Sequence, residues 1–151
     1  MTLRTVLLAV GPGDVDRTEA LAEAVIEVAG PAGATVVLAH VFTTDEYEEV
    51  CRRLEFDPDV EEVDPNAVAR RHSTIRELAR QFADADVDVE IRGAVGDHGE
   101  AIVELATEVD ADRVVVGGRR RTPTGKAVFG STAQEVLLSA PAPVTFVRGD
   151  D

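Results

Sequence analysis

The sequence predicts an α/β fold in three layers, with helices on both faces of a five-stranded parallel sheet, and residues 1–151 as one domain. Three observations predict it. Short aliphatic runs alternate with helix-period segments in the order β-α-β-α-β-α-β-α-β, which implies parallel strands joined by right-handed crossovers. Two of the runs, Thr5 to Val10 and Thr35 to Val41, are almost wholly apolar, as strands covered on both faces must be. Hydrophobic residues make up 44% of the chain but aromatics only 4%, so the core is built from Val, Leu, Ile and Ala.

The elements follow in order. Thr5-Val6-Leu7-Leu8-Ala9-Val10 reads as the first strand and ends at Gly11-Pro12-Gly13. Asp16 with Glu19 resembles a capping box, and Leu21, Ala24, Val25 and Val28 fall on one helix face, with Gly30-Pro31 as the stop. Thr35 to Val41 is the second strand. Residues 45–64 hold ten acids and two Arg, and read as a surface excursion, partly helical. Pro65 suits the first turn of one long helix with Ala69, Ile75, Leu78, Ala79 and Phe82 inward. Val87-Asp88-Val89-Glu90-Ile91 alternates like an edge strand. Asp97 caps a helix whose inner face is Ile102, Leu105, Ala106 and Val109. Arg113 to Val116 is the fourth strand, Ser131 opens a helix carrying Val136, Leu137 and Ala140, and Pro143 to Val147 is the last strand.

Charge narrows the function. Acids outnumber Lys plus Arg by 29 to 15, a formal charge of −14, and Lys126 is the only lysine. Such a surface repels nucleic acid and anionic lipid, so neither is expected as a partner. An acid-rich, lysine-poor chain suits a halophilic cytosol, where a Debye length of ~3 Å or less screens self-repulsion. An anion site there must work by direct contact. No apolar run approaches the ~18 residues of a membrane span, the N-terminus lacks signal-peptide architecture, and Cys51 stands alone. A cytoplasmic protein is the expectation.

One stretch runs against the acidic background. Gly117 to Thr132, GGRRRTPTGKAVFGST, contains Arg119, Arg120, Arg121 and Lys126 and no acid. Gly117 and Gly118 end a strand and allow close backbone approach. The cations offer donors to phosphate. Gly130-Ser131-Thr132 opens a helix, whose free N–H groups and dipole favour an anion. Each feature has a plainer reading: Ser131 with Gln134 is a sufficient capping box, and three arginines make a solvated turn. Their coincidence beyond the end of a parallel strand, where such sheets bind ligands, points to an anion cradle. It is not a Walker A loop, because Arg120 and Ala127 stand where Gly and a hydroxyl are needed, nor a dinucleotide fingerprint, because Asp16 occupies the third Gly position.

The spacing from Gly117 to Gly130-Ser131, the His40-Val41 end of the second strand, Asp112 before the fourth, and Ala140-Pro141-Ala142-Pro143-Val144 resemble the universal stress protein family. The likeness runs from Val6 to Val147. It implies the strand order 3-2-1-4-5 of adenine nucleotide alpha hydrolase-like folds, and ATP, with Mg2+, bound through the loop after the fourth strand. Carried over, Ala9, Val10, Gly11 and Val41 flank base and ribose, Val116 and Gly117 line the floor, and Gly130, Ser131 and Thr132 hold phosphates; Arg119, Arg120 and Lys126 are added from charge and position. Two residues depart from the pattern. Arg120 replaces the second signature Gly, and either blocks the phosphate path or grips phosphate. Gly11 replaces the usual acid after the first strand, with Asp14 nearby but three residues out of register.

No catalytic set is evident. His40, His72 and His98 are isolated in sequence; His40 is expected at the core margin and the other two in solvent. The resemblance implies a regulatory binder rather than an enzyme, with slow ATP hydrolysis a lesser alternative and a nucleotide-free interaction module the main rival. Val144, Thr145, Phe146 and Val147 form a short apolar edge, which invites pairing with a second copy; a homodimer is the expectation, as the family often forms.

Overall fold

A computed structural model describes residues 3–53, 64–118 and 131–148. The strands are β1 (Thr5–Val10), β2 (Thr35–Phe42), β3 (Val89–Val95), β4 (Arg113–Gly118) and β5 (Val144–Arg148). The helices are α1 (Thr18–Ala32), α2 (Thr44–Arg53), α3 (Pro65–Arg71), α4 (Ser73–Asp84), α5 (His98–Glu108) and α6 (Ser131–Ser139), and a 3-10 helix spans Pro12–Arg17. All strand pairs are parallel and the order is β3-β2-β1-β4-β5. The chain therefore winds one way from β1 to β2 and the other way to β4, and the crevice of such a sheet opens beside β1.

Strand period sorts the core. Val6, Leu8, Val10, Val36 and Leu38 point to one face and pack with Leu21 and Val25 of α1 and Ile75, Leu78 and Phe82 of α4. Leu7, Ala9, Val37, Ala39 and Val41 point to the other and meet Ile102, Leu105 and Ala106 of α5 and Val136 of α6. Each fully buried Val or Leu contributes about 1.5–3 kcal/mol, so the inner strands are fixed by burial on both faces. Asp112 joins the start of β1 to the chain before β4: its Oδ2 accepts the Arg4 and Thr5 amides at 2.9 and 3.0 Å.

Several boundaries differ from the sequence reading, each for a local reason. Helix α1 does not begin on an Asp16 cap, since Asp16 lies within the 3-10 helix, and it does not stop at Gly30-Pro31. Pro31 sits in the last turn, and the stop is Gly33 at φ 66°, whose N–H reaches the Gly30 carbonyl at 3.2 Å. Left-handed φ is what Gly supplies at a helix end. The inner face is Leu21, Ala22, Val25 and Ala29 rather than one that includes Ala24 and Val28.

The long helix from Pro65 is two helices. His72 adopts φ −70°, ψ 133°, and its Nδ1 accepts the Thr74 amide at 3.3 Å, so it ends α3 and caps α4. Asp64 caps α3 by accepting the Ala67 amide at 2.9 Å. Helix α3 lies directly on β3: a β-carbon at Gly93 would overlap the Pro65 carbonyl, and Asn66 Oδ1 accepts the Gly93 N–H at 2.8 Å. That bond supplies a partner to an amide on an edge strand. Strand β3 starts two residues later than its alternation suggested and runs on through Gly93. On α6, Ala133 and Val136 are buried, while Leu137 is 40% and Leu138 79% exposed; Leu137 does not face inward.

Candidate functional site

The Gly11 N–H begins the site. It donates to Asp14 Oδ2 at 2.8 Å, and the Asp14 amide returns a bond to the Gly11 carbonyl at 3.1 Å. This reciprocal pair curls Pro12–Arg17 into the 3-10 helix just beyond β1. Arg17 Nη1 closes the turn on Asp14 Oδ1 at 3.2 Å and the Gly13 carbonyl at 3.0 Å. Both side chains are about nine-tenths covered, at 11% and 10% exposure. Burial raises the Asp14 pKa above the usual carboxylate range, against the Gly11 amide and Arg17, which favour its charge.

The turn rests on the end of β4. A β-carbon at Gly117 would lie 2.8 Å from Asp14 Oδ1 and 2.9 Å from Arg17 Cδ. Glycine lets the strand end and the turn's side chains meet there without displacing Asp14 or Arg17. The result is a crevice of about 180 Å³ lined by Ala9, Val10, Gly11, Pro12, Gly13, Asp14, Arg17, Val41, His98, Ile102, Val116, Gly117, Thr132 and Ala133. Ala9, Val41, Ile102 and Val116 make its walls apolar; Asp14, Arg17, His98 and Thr132 bring polar atoms to it.

Seven residues singled out in the sequence thus line one crevice: Ala9, Val10, Gly11, Val41, Val116, Gly117 and Thr132. Ser131 opens α6 and is exposed, outside that lining. Arg119, Arg120, Lys126 and Gly130 lie outside the described residues. Sequence reasoning missed Arg17, His98 and Ile102, and it left Asp14 three residues out of register. A signal for the turn was present: Asp14 and Arg17 are spaced i, i+3 directly after Gly-Pro-Gly.

His72 and His98 are not solvated as their sequence positions suggested. His98 Nε2 lies 2.7 Å from Glu46 Oε1, and the same oxygen accepts the Thr43 amide at 2.8 Å. Burial alone would raise the Glu46 pKa; the Thr43 amide and His98 outweigh it and hold the carboxyl below its ordinary value. The His72 ring lies tilted against His40 at 4.2 Å, and His40 stacks on Phe42 at 4.3 Å. His40 is 2% exposed, and neither ring nitrogen has a partner. Burial, reinforced by His72, lowers its pKa from 6.5 to about 3. These rings line a second cavity of about 390 Å³ with Glu46, Glu49, Arg53 and Thr74. Pro12 lines both cavities. Among the described residues no group of three or more His, Cys, Asp or Glu is arranged to hold a metal ion, and no helix is long and apolar enough to cross a membrane.

The family described as universal stress protein matches residues 2–148. A universal stress protein of Mycolicibacterium smegmatis is 37% identical over 79 residues, a match spanning 52% of this chain and 61% of that relative. A universal stress protein crystallised in complex with cAMP is 22% identical, with a TM-score of 0.67 over 98% of each chain. A universal stress protein family protein of Arabidopsis thaliana with AMP bound is 14% identical, with a TM-score of 0.64 over 97% of this chain and 92% of that one. At these identities the two structures establish the fold.

Proposed function

Because the chain belongs to the universal stress protein family, we propose that it is a stress-response protein that binds an adenine nucleotide in the crevice beside β1. The observation that carries this reading is convergence. Residues Ala9 to Gly11, Val41, Gly117 and Thr132, which the family resemblance assigned to the nucleotide from sequence, line one crevice with apolar walls. Two structural neighbours carry cAMP and AMP. A base would lie between Ala9, Val41 and Ile102. Phosphates would lie toward Thr132 at the start of α6, where unpaired amides and the helix dipole favour negative charge. Asp14, folded back by its bond to Gly11, places a carboxylate on the crevice wall despite its late register. With ATP as ligand, Mg2+ would be held by phosphates and water, its usual coordination at nucleotide sites.

Binding rather than turnover is the reading, as the family resemblance implies. Calorimetric titration with ATP-Mg2+, AMP and cAMP at molar salt tests it. Saturable heat for at least one nucleotide supports the reading. Absence of heat and of thermal shift at millimolar ligand would overturn it. Phosphate release over hours would instead assign slow hydrolysis. The rival, a nucleotide-free interaction module, is favoured by one observation: about 180 Å³ is small against the ~300 Å³ at which ligand pockets usually begin. Pairing of two copies through β5, at the sheet edge, completes the proposed assembly.

A further inference from the structure

We propose that His98 is a specificity-determining residue of the crevice: its Nδ1 accepts a hydrogen bond from an N–H or O–H on the nucleoside half of the ligand, with Glu46 as the residue that sets it in that role. The inference rests on the nucleotide reading and deepens it.

The argument starts at Glu46. Its Oε1 receives the Thr43 amide at 2.8 Å and lies 2.7 Å from His98 Nε2. A carboxylate can only accept, so Nε2 carries the hydrogen. In the neutral imidazole, Nδ1 is then left with a lone pair. Nδ1 has no partner among the described residues, and it is not among the buried orphan atoms. His98 lines the crevice beside Val41 and Ile102, and its side chain is 25% exposed, so Nδ1 is open to a ligand. The backbone holds the ring there. His98 is the first residue of α5, capped by Asp97 Oδ2 on the Glu100 amide at 3.2 Å. Gly99 is pressed so close to α6 that a β-carbon would meet Glu135 Oε1 at 2.5 Å. Glu46 is fixed in turn by its own capping box, in which its amide donates to Thr43 Oγ1 at 3.2 Å. The acceptor is thus placed by three elements before any ligand arrives.

Two parts of an adenosine can meet such an acceptor: the exocyclic amine and the ribose hydroxyls. Binding of AMP is compared with purine riboside 5′-monophosphate, which lacks the amine, and with 2′-deoxy-AMP and 3′-deoxy-AMP. In the unaltered protein one of these analogues is expected to bind about tenfold more weakly than AMP, and its identity names the donor. In His98→Leu the same ratio falls to near one. Glu46→Ala, which frees the tautomer, reduces the ratio likewise, whereas Glu46→Gln keeps it because the amide oxygen still accepts. If no analogue loses affinity, or if His98→Leu preserves every ratio, His98 does not read the ligand. Collapse in Glu46→Gln overturns the role given to Glu46. Failure of the unaltered protein to bind any adenine nucleotide overturns both this inference and the reading beneath it.

Discussion

Replacing His40 by Phe should make the protein less sensitive to mild acid. The ring is 2% exposed with both nitrogens unpartnered, and burial holds its pKa at about 3 against 6.5 for a free imidazole. A folded pKa below the unfolded one means that the unfolded chain takes up the proton first. Stability is then full above 6.5 and is lost as pH falls toward 3. Each unit of pH costs about 1.36 kcal/mol over that window. At pH 5 the loss from this one ring is therefore about 2 kcal/mol relative to neutral pH. A pH near 5 also isolates the imidazole, because Glu46, Glu77 and Asp112, whose pKa values are lowered, lose their contributions only further down. His72, also lowered by burial, and Asp14, raised by burial and so relieved by acid, are common to both proteins and cancel. Phe keeps the ring stack and removes the titrating nitrogens. Urea unfolding at molar salt, near pH 7.5 and pH 5, should show the parent losing about 2 kcal/mol more than His40→Phe. Equal losses would mean that water reaches the His40 ring and that the burial argument fails.

Other outcomes follow from single contacts. Gly93→Ala should destabilise by about 2 kcal/mol or more, because its methyl would overlap the Pro65 carbonyl of α3; thermal melting reads this, and an unchanged melt would mean that α3 stands off β3. Asp64→Ala should cost about 1 kcal/mol through loss of the α3 cap, measured by urea midpoint; no shift would show that the Ala67 amide has an equivalent partner in water. Sedimentation equilibrium should find a dimer of the 16.1 kDa chain; a monomer at all concentrations would end the proposed pairing of β5 edges.

The sheet was legible in the sequence because burial on both faces demands unbroken aliphatic runs, and β1, β2 and β4 have them. Strand period then sorts their side chains, with Leu7 and Leu8 on opposite faces. The break at His72 was not legible. Its helical periodicity continues across both helices, and the interruption comes from a local cap and a tilted ring contact with His40, a residue thirty-two positions earlier. The same holds for His98 and Glu46, which are brought together only by tertiary packing. Nor did composition show that α6 would expose Leu137 and Leu138. On the crevice itself, the strand-end residues Ala9, Gly11, Val41 and Gly117 were named by the family resemblance, and they meet because parallel strands deliver their C-termini to one edge. Those on the 3-10 turn were missed, because Asp14 and Arg17 reach the crevice through the Asp14–Gly11 exchange, a pairing their i, i+3 spacing signals only faintly.

The shoulder between β4 and that turn carries an evolutionary corollary. With Gly117 seated against Asp14, Arg17 and Leu21, a larger amino acid at 117 requires the facing side chains to shift or shrink in compensation. Across relatives, substitution at these sites should be correlated rather than independent, so that divergence of the strand end and of the turn proceeds in step.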